Sequence, residues 1–436
     1  MNKKIIILFL TITLVITLTG CSSNSSDNTL SDEEAYQKAV QNAVKITEVV
    51  EGDTKYYNVV IDYDDKLKPK DIGKIYGEKI KEKISDFPEI LDSYIADSID
   101  DNQHEEDVFN RVQDLKPQVP ENYRKEISGM AAALANGDKD DFGDGKLSLN
   151  ELYAANMLGD VLLNNACSAV SVFKERSKTD TTITGRNMDW DINGNKLSDI
   201  YAVTTFKNGD KSIVSIGFIG FNAVITGFNN DKIFAAGLTS TSGQKLISNG
   251  KYSYAYKVRE ALENENSING IVNELNNDNY TNGHLVFLSS PNKSVVLEND
   301  IDDNNDKKLR YHDSSIKQNI TDDVNYNYSP TLSNSIGAVN GFMLKDTRNN
   351  FINSESNKTR WSTLTTELNN NQNNNGDLTI DGIKNVISSK PLYNDRTIQT
   401  VLFVPETGKL KIAFRMDENQ TSPKEFVDVE NILYSY

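Results

Sequence analysis

The stretch Asn164–Trp190, NNACSAVSVFKERSKTDTTITGRNMDW, contains one of the chain's two cysteines and a short charged motif. Cys167 begins an apolar, β-branched run, and Gly185-Arg186-Asn187-Met188-Asp189-Trp190 follows after a polar connection. This pattern predicts two adjacent strands that bring Arg186 and Asp189 beside the Cys167 sulfur. A nearby cation or base lowers the pKa of a thiol and makes it a better nucleophile. The alternative for Cys167 alone is a buried core cysteine next to a surface turn.

The composition limits the classes of protein that need to be considered. The chain has 436 residues, enough for two to three ordinary domains or for one large domain with an accessory part. Hydrophobic residues make up 37%, so the chain can bury a substantial core. The formal net charge of −17 argues against a nucleic-acid partner and fits a solvated protein of the cell surface.

The N-terminus has the pattern of an export signal. Two lysines precede an apolar run at residues 5–18 that is too short to span a bilayer comfortably. The run ends in Leu18-Thr19-Gly20-Cys21 and is followed by serines, which resembles a bacterial lipoprotein signal. That resemblance implies a signal peptide at 1–20, a lipidated Cys21, a polar tether at 21–30 and a location on the extracytoplasmic face of the cell membrane. Cys167 would then be the only free thiol, which in an oxidising compartment is a hazard unless it is used or buried.

Residues 31–166 carry mainly helical signals. A capping box, Ser31-Asp32-Glu33-Glu34, opens a predicted helix to about Val49. Apolar residues at helical spacing predict further helices, the last of which runs to about Leu163 and leads to Cys167. The predicted elements are helices at 31–49, 72–84, 88–135 and 149–163, and a short strand at 58–63.

Beyond Cys167 the pattern changes to strands mixed with helices. Asn208-Gly209 lies between two apolar runs and predicts a hairpin, and Pro405-Glu406-Thr407-Gly408 separates another pair of strands. This order indicates a layered α+β protein with antiparallel sheets covered by helices. The predicted strands are 200–206, 211–218, 224–226, 232–238, 285–289, 294–298, 398–404 and 409–414; the helices are 253–264, 267–276, 357–368 and 378–388; the polar surface loops are 299–330 and 369–376.

The segment Asp140–Glu151, DDFGDGKLSLNE, has two interpretations. Several of its residues occupy calcium-loop positions, but Phe142 stands at the third position and offers no side-chain ligand. The alternative is a glycine-containing turn that leads into a capping box, Ser148-x-x-Glu151. The sequence favours the capping box, and we predict no metal site and no cofactor.

Three segments together resemble a known family. Cys167-Ser168, the Gly185–Trp190 motif and Gly227-Phe228-Asn229 are similar to the choloylglycine hydrolase and acyl-CoA:6-aminopenicillanic acid acyltransferase-like (peptidase C45) branch of the N-terminal-nucleophile hydrolases. Weaker matches extend the resemblance over about residues 70–415. They are Tyr76-Gly77-Glu78, Gly337-Ala338-Val339-Asn340-Gly341-Phe342 and Asn357-Lys358-Thr359-Arg360-Trp361.

The resemblance implies a fold and a reaction. The fold would be a four-layer αββα sandwich at 167–436, preceded by a mainly helical pro-region at 31–166. The precursor would cut itself between Ala166 and Cys167, so that Cys167 gains a free α-amino group. Since an α-amine has a pKa of about 7.7–8.0, it can act as the base that activates the thiol. The enzyme would then hydrolyse a linear amide through a thioester, and acyl transfer to another amine is an alternative outcome.

The resemblance also implies roles for individual residues. Asp189 would hold the α-amino group, and Arg186 would favour the thiolate. Asn229 would donate to the oxyanion, Asn340 would bind the α-amine or assist the oxyanion, and Arg360 would join the site by ion pairing. The predicted partner is a small acyl amide, such as an N-acyl amino acid, a bile-salt-like conjugate, a penicillin V-like amide or an acylated signal molecule.

Two other classes remain open from the sequence. One is a thiol peptidase that pairs Cys167 with His284 or His312. The other is a non-catalytic binding lipoprotein of the cell surface.

Overall fold

The computed structural model describes residues 31–99, 104–137, 139–162, 166–240, 247–301, 306–314, 334–344 and 354–429. The predicted signal peptide at 1–20, the tether at 21–30 and Cys21 lie outside these residues. Within the described ranges, no helix combines the length and apolar character needed to cross a membrane.

Helices and strands are numbered in chain order. The helices are α1 (Asp32–Asn42), α2 (Pro69–Lys83), α3 (Phe87–Ser98), α4 (Glu105–Leu115), α5 (Glu121–Leu134), α6 (Leu149–Asn156), α7 (Leu158–Val161), α8 (Tyr254–Asn264), α9 (Ile268–Asn276), α10 (Glu355–Asn370) and α11 (Ile380–Ser388). The strands are β1 (Val44–Glu51), β2 (Thr54–Asp62), β3 (Ala166–Val172), β4 (Ile183–Asp189), β5 (Tyr201–Asn208), β6 (Lys211–Phe218), β7 (Thr226–Asn229), β8 (Phe234–Thr239), β9 (His284–Ser290), β10 (Lys293–Asp300), β11 (Asp306–Arg310), β12 (Ser335–Ala338), β13 (Thr397–Val404), β14 (Lys409–Phe414) and β15 (Val427–Val429).

The strands form two sheets. Sheet A has the order β1-β2-β5-β6-β7-β8-β9-β10-β11, and sheet B has the order β12-β3-β4-β13-β14-β15. Neighbouring strands are antiparallel except β2 and β5, which pair in parallel from Tyr57↔Ala202 to Asp62↔Lys207. Because β1 and β2 precede Cys167 in the chain, part of sheet A comes from the predicted pro-region.

The two sheets pack face to face, with helices outside both. Aromatic side chains join the inner faces, as in Phe228 against Phe403 at 4.3 Å and Tyr201 against Phe414 at 4.5 Å between ring centroids. Helices α8 and α9 cover sheet A, and α10 and α11 cover sheet B. The chain is therefore an α+β protein with the predicted αββα layering, because each sheet buries one face on the other sheet and one on helices.

Local turn chemistry explains the hairpins. Gly209 has a φ of +58°, which glycine adopts without strain, and it turns the chain between Asn208 and its strand partner Lys211. The later hairpin likewise pairs Val404 with Lys409, with Gly408 at a φ of +66°. Both hairpin predictions are confirmed.

The predicted helix from residue 31 to Val49 is wrong beyond Asn42. The capping box at Ser31 forms, and Glu34 N–H donates to the Ser31 hydroxyl. Residues 44–51 instead form β1, because alternating β-branched residues bury Val44 and Ile46 on one side and a turn at Gly52 returns the chain into β2. The predicted pro-region at 31–166 is thus mainly helical, with two strands that belong to sheet A.

Of two further predictions, the polar loop at 299–330 is partly wrong and the capping box at Ser148 is right. Asp306–Arg310 was expected in a polar loop, but it forms β11 because it pairs with β10 from Val296↔Arg310 to Asp300↔Asp306. The capping box at Ser148 is confirmed: Glu151 N–H donates to the Ser148 hydroxyl, and the Glu151 carboxylate accepts from Ser148 N–H at 2.7 Å.

Candidate active site

Strand pairing places Cys167 beside the charged motif. Antiparallel β3 and β4 match Cys167 with Met188 and Ala169 with Arg186. Arg186 Nη2 lies 3.5 Å from Cys167 Sγ and also donates to the Gly237 carbonyl at 3.1 Å. The prediction that two adjacent strands bring Arg186 to the sulfur is confirmed. The structure buries Cys167 with 2% of its surface exposed.

The backbone nitrogen of Cys167 has a side-chain acceptor. Cys167 N–H donates to Asn340 Oδ1 at 2.7 Å, and Arg360 Nη1 donates to the same oxygen at 2.7 Å. Arg360 Nη2 also donates to the Cys167 carbonyl. Since Asn340 and Arg360 come from a strand end and a helix far along the chain, three distant segments meet on one residue.

Asp189 is held by three donors. Its Oδ1 accepts from the Thr397 hydroxyl at 2.6 Å, and its Oδ2 accepts from Asn394 Nδ2 at 2.8 Å. Arg360 Nη2 lies 3.5 Å from the same Oδ2. The carboxylate is completely buried, and in the β3–β4 ladder Asp189 is the strand neighbour of Ala166.

Burial and the neighbouring arginines shift the pKa values of Cys167 and Asp189 in opposite directions. Burial raises the pKa of the Cys167 thiol, while the Arg186 guanidinium lowers it and the Asp189 carboxylate raises it. Burial also raises the pKa of Asp189, against the effect of Arg360 and of the Thr397 and Asn394 hydrogen bonds. A buried thiol in this uncut chain therefore stays protonated until a base removes its proton.

Asn229 lies apart from this cluster. Its Nδ2 donates to the carbonyls of Leu262 and Glu265 at the end of α8, and its Oδ1 accepts from Ile233 N–H at 3.0 Å. Asn229 contacts the chain at Ile233, whereas Arg186 contacts it at the Gly237 carbonyl, four residues later. Four extended residues span about 13 Å. The structure thus brings together Cys167, Arg186, Asp189, Asn340 and Arg360, and it uses the Asn229 amide to cap a helix.

Sequence analysis missed four residues of the site. Thr397 and Asn394 bind Asp189, and the Thr239 carbonyl accepts from Asn340 Nδ2. The fourth is Tyr254, whose buried hydroxyl interacts electrostatically with Cys167 and Arg186; burial raises its pKa. No local motif marks these four, because Thr397 and Thr239 reach the site through strand pairing, Tyr254 through the packing of α8 and Asn394 through the loop before β13.

The histidines named in the alternative hypothesis make other contacts. His312 packs against Phe173, six residues along β3 from Cys167, or about 20 Å of strand. His284 Nδ1 contacts the Asn282 carbonyl and Asn299 Nδ2, and its ring stacks on Tyr254. Burial lowers the pKa of His284 to about 4, so this ring is neutral at ordinary pH.

The Asp140–Glu151 segment is closed by hydrogen bonds. The Asp92 carboxylate accepts from Gly143 and Gly145 N–H, both at 2.7 Å, and Asp140 accepts from the Ser148 hydroxyl at 2.6 Å. Across the part of the chain that the structure describes, no group of three or more His, Cys, Asp or Glu residues is arranged to hold a metal ion.

An apolar pocket lies near the site. It lies between helices that precede Cys167 and residues that follow it, most of them in loops and turns, and Trp190, directly after Asp189, forms part of its wall. A second connection joins the site to this pocket. Gln399 is the strand partner of Met188 and donates to the Ile216 carbonyl at 3.4 Å. Ile216 lies two residues before Phe218, which also lines the pocket. Other lining residues are Leu91, Ala155, Leu158, Leu197 and Phe221.

Comparisons with known proteins give partial structural likenesses. No protein-family model matches the chain, and no curated protein sequence matches it. Among solved structures, the chain is similar to the Caenorhabditis elegans ortholog of N-acylethanolamine-hydrolyzing acid amidase, with 16% identity and a TM-score of 0.39 over 55% of this chain and 93% of that one.

Two bacterial structures give lower scores. A Clostridium perfringens conjugated bile acid hydrolase variant matches with 14% identity and a TM-score of 0.34 over 61% of this chain and 97% of that one. Penicillin V acylase from Agrobacterium tumefaciens matches with 12% identity and a TM-score of 0.26 over 57% and 83%. The activities in these names are those of the proteins compared.

Proposed function

We propose that the protein is a self-processing amidohydrolase whose nucleophile is Cys167. The observation that carries this proposal is the environment of one residue. Its sulfur lies 3.5 Å from a buried guanidinium, and its backbone nitrogen donates to a side-chain oxygen, Asn340 Oδ1, at 2.7 Å. A cation at the sulfur and an acceptor at the nitrogen are what an N-terminal cysteine nucleophile requires.

Self-processing is favoured mainly because the thiol needs a base to remove its proton. The described partners of Cys167 include two arginines, an asparagine amide and an Asp189 carboxylate that already accepts three donors. None of these is poised to remove the thiol proton. Cleavage before Cys167 would create an α-amino group on the same residue as the thiol. The pKa of such a group is about 7.7–8.0, so it can accept the thiol proton near neutral pH.

Self-cleavage would proceed in two steps. The Cys167 sulfur attacks the Ala166 carbonyl carbon, the Ala166–Cys167 C–N bond breaks, and the thiol proton passes to the departing nitrogen. Water then hydrolyses the thioester, which leaves a carboxylate on Ala166 and restores the thiol. Asn340 Oδ1 accepts from this nitrogen in the intact chain, and it would accept from the α-amino group after the cut.

Turnover would repeat this chemistry on a substrate. The α-amine accepts the thiol proton, the sulfur attacks the amide carbonyl, and the amine product leaves with that proton. Water hydrolyses the acyl thioester and releases the acid. Arg186 stabilises the thiolate by charge, while Arg360 holds Asn340 and the Cys167 backbone in register.

The acyl part of the substrate is proposed to occupy the apolar pocket. Trp190 follows Met188, the strand partner of Cys167, by two residues, or about 7 Å of strand. Most wall residues are aromatic or aliphatic, with Asn156 as a polar exception, so an apolar acyl group suits them better than a charged group. We further propose that lipid on Cys21 anchors the enzyme to the extracytoplasmic face of a membrane.

The decisive experiment is intact-mass and N-terminal analysis of purified residues 22–436. We expect two chains, the larger beginning CSAVSVF. Cys167→Ala should stay uncut, while Ser168→Ala, which removes a buried hydroxyl on the next residue, should cut normally. A wild-type chain that stays single removes the α-amino base and refutes the proposal.

Substrate class is tested by N-acyl amides graded from acetyl to palmitoyl. Ala155→Leu narrows the apolar pocket and should move the best kcat/KM to a shorter acyl chain. Leu197→Ala widens it and should move the optimum the other way. Identical chain-length profiles in both variants and the wild type would place the acyl group elsewhere.

A further inference from the structure

Asn340 lies just beyond the end of a paired strand. Strand β12 pairs with β3 only as far as Ala338↔Ala169. Two residues later, the Asn340 side chain binds Cys167 N–H, Arg360 Nη1 and the Thr239 carbonyl. Its precise placement therefore needs a support that the strand ladder does not supply.

A buried ion pair supplies bonds on both sides of Asn340. Glu298 Oε1 accepts from Arg310 Nε at 2.7 Å, and Arg310 Nη2 donates to the Gly337 carbonyl at 2.8 Å. The second Glu298 oxygen accepts from the N–H groups of Met343 and Leu344, both at 2.9 Å. Gly337 precedes Asn340 by three residues and Met343 follows it by three.

The pair is placed where its charge brings little stability of its own. Glu298 and Arg310 are 3% and 1% exposed, so both ions lose their hydration on folding. A buried ion pair is often no more stable than apolar residues of the same size, but it fixes geometry. Both residues belong to sheet A, strands β10 and β11, whereas the backbone they bind continues from β12 of sheet B.

We propose that Glu298 and Arg310 are positioning residues for the reaction at Cys167. They fasten the 337–344 backbone to sheet A and thereby hold the Asn340 oxygen at the Cys167 nitrogen. The proposal rests on the proposed function for its kinetic part, and on the described hydrogen bonds alone for its structural part.

The test variant is Glu298→Gln, with Glu126→Gln as the matched control. Glu126 is also a buried carboxylate paired with a buried arginine, Arg259, at 2.9 Å, but it lies away from the 337–344 segment. Each change keeps the side-chain shape and removes one charge. We expect Glu298→Gln to slow self-cleavage and lower kcat about tenfold or more with KM within about twofold, because small displacements at a reacting centre are costly.

A second measurement does not depend on activity. In the uncut Cys167→Ala background, hydrogen exchange is compared with and without Glu298→Gln in peptides covering 335–344 and 166–172. Faster exchange in both peptides is expected, since Glu298 binds the Met343 and Leu344 N–H groups and Asn340 binds the N–H of residue 167. The Glu126→Gln control should leave both peptides unchanged.

The outcomes separate the two proposals. A wild-type chain that neither cuts itself nor hydrolyses acyl amides refutes the proposed function. Unchanged exchange in Glu298→Gln, or a kcat and self-cleavage rate equal to those of the control at equal folded fraction, overturns the positioning role.

Discussion

Arg186 is a buried cation whose charge is only partly matched. Its Nη2 contacts the thiol and one carbonyl, but its Nε and Nη1 have no hydrogen-bond partner among the described residues. Buried charges are ordinarily paired, because an unpaired ion in a low-dielectric interior is strongly disfavoured. The Cys167 thiol, 3.5 Å from Nη2, becomes an anion when a base removes its proton, and Arg186 then stabilises that thiolate against the cost of burial.

Replacing Arg186 should therefore raise the thiol pKa. In Arg186→Gln, the attraction that lowers the pKa of Cys167 is lost while burial continues to raise it. We expect the pH midpoint of Cys167 alkylation by iodoacetamide to move upward. Arg176→Gln, at an arginine bound to Gln372 and Asn369, serves as the control and should leave the midpoint in place.

Asn229 and Asn340 should respond differently to truncation. Asn340→Ala removes the acceptor for the Cys167 nitrogen and should lower kcat about 100-fold, as loss of a preorganised active-site group does. Asn229→Ala leaves two carbonyls of the α8 end without a donor and should cost about 1–3 kcal/mol of stability with kcat little changed. Kinetics and denaturant midpoints of both variants give the comparison, and a large kcat loss in Asn229→Ala would restore its predicted oxyanion role.

These residues show what the sequence could reveal about the site. Cys167 and Arg186 could be brought together from the sequence because both lie on neighbouring strands of one local pair. Asn340 and Arg360 were named only through family resemblance, since nothing local points them at Cys167. Thr397 binds Asp189 from 208 positions away, and only the tertiary register determines that contact.

At the scale of elements, local signals predicted the hairpins and most helices but not the partner of each strand. The capping box at Ser31 correctly predicts where α1 begins, but it carries no information about where that helix ends. The helix ends because the next residues are used in sheet A: the β1 backbone pairs with β2, and Val44 and Ile46 are buried on one face of the strand. The parallel contact of β2 with β5 had no sequence signal, since more than a hundred residues separate the two strands.

The Asp160 carboxylate on α7 binds several groups from the part of the chain that follows Cys167. Asp160 accepts from the Ser253 hydroxyl at 2.5 Å, from Tyr254 N–H at 3.2 Å and from the Thr281 hydroxyl at 3.1 Å. Ser253 and Tyr254 form the N-terminus of α8, where a negative charge is favourable. Asp160, six residues before Ala166, is thus hydrogen-bonded to the part of the chain that follows Cys167.

Asp160 should make stability depend on pH. Burial raises its pKa to about 7, so between about 4 and 7 the folded chain holds a proton that the unfolded chain has released. Its contribution is full below about pH 4 and is lost as the pH rises to 7. His284, with its pKa lowered to about 4, gives the opposite slope, so the wild type alone does not isolate Asp160.

The comparison with Asp160→Asn isolates this carboxyl. We expect the free energy of unfolding of the wild type, measured relative to Asp160→Asn, to decline as the pH rises from 4 to 7. Denaturant titrations at several pH values measure it. Parallel curves for the two proteins would show that Asp160 does not titrate in this range.

At the scale of the whole molecule, the halves on either side of Ala166–Cys167 share one core. Arg259 on α8 pairs with Glu126 on α5 at 2.9 Å, and Gly220 N–H donates to the Tyr76 hydroxyl at 2.8 Å. Strands β2 and β5 pair across the same boundary. The cut would break one peptide bond and none of these contacts.

The cut protein should therefore remain a single particle. We expect both chains to elute together in size-exclusion chromatography under native conditions and to separate only in denaturant. Glu126→Gln should lower the denaturant concentration at which the smaller chain is released. Free dissociation of the two chains in native buffer would contradict a shared core.

The parallel pairing of β2 with β5 also bears on the order of events during synthesis. Without residues 31–62, Tyr201–Asn208 would become an edge strand whose first six residues are buried in the intact protein. Exposed apolar edges recruit strands from other copies and lead to aggregation. We therefore expect residues 167–436 made alone to form β-rich aggregates. If the proposed cut at Cys167 occurs, we expect it to leave a well-behaved protein only after β1 and β2 have joined sheet A, since they then cover the edge of β5.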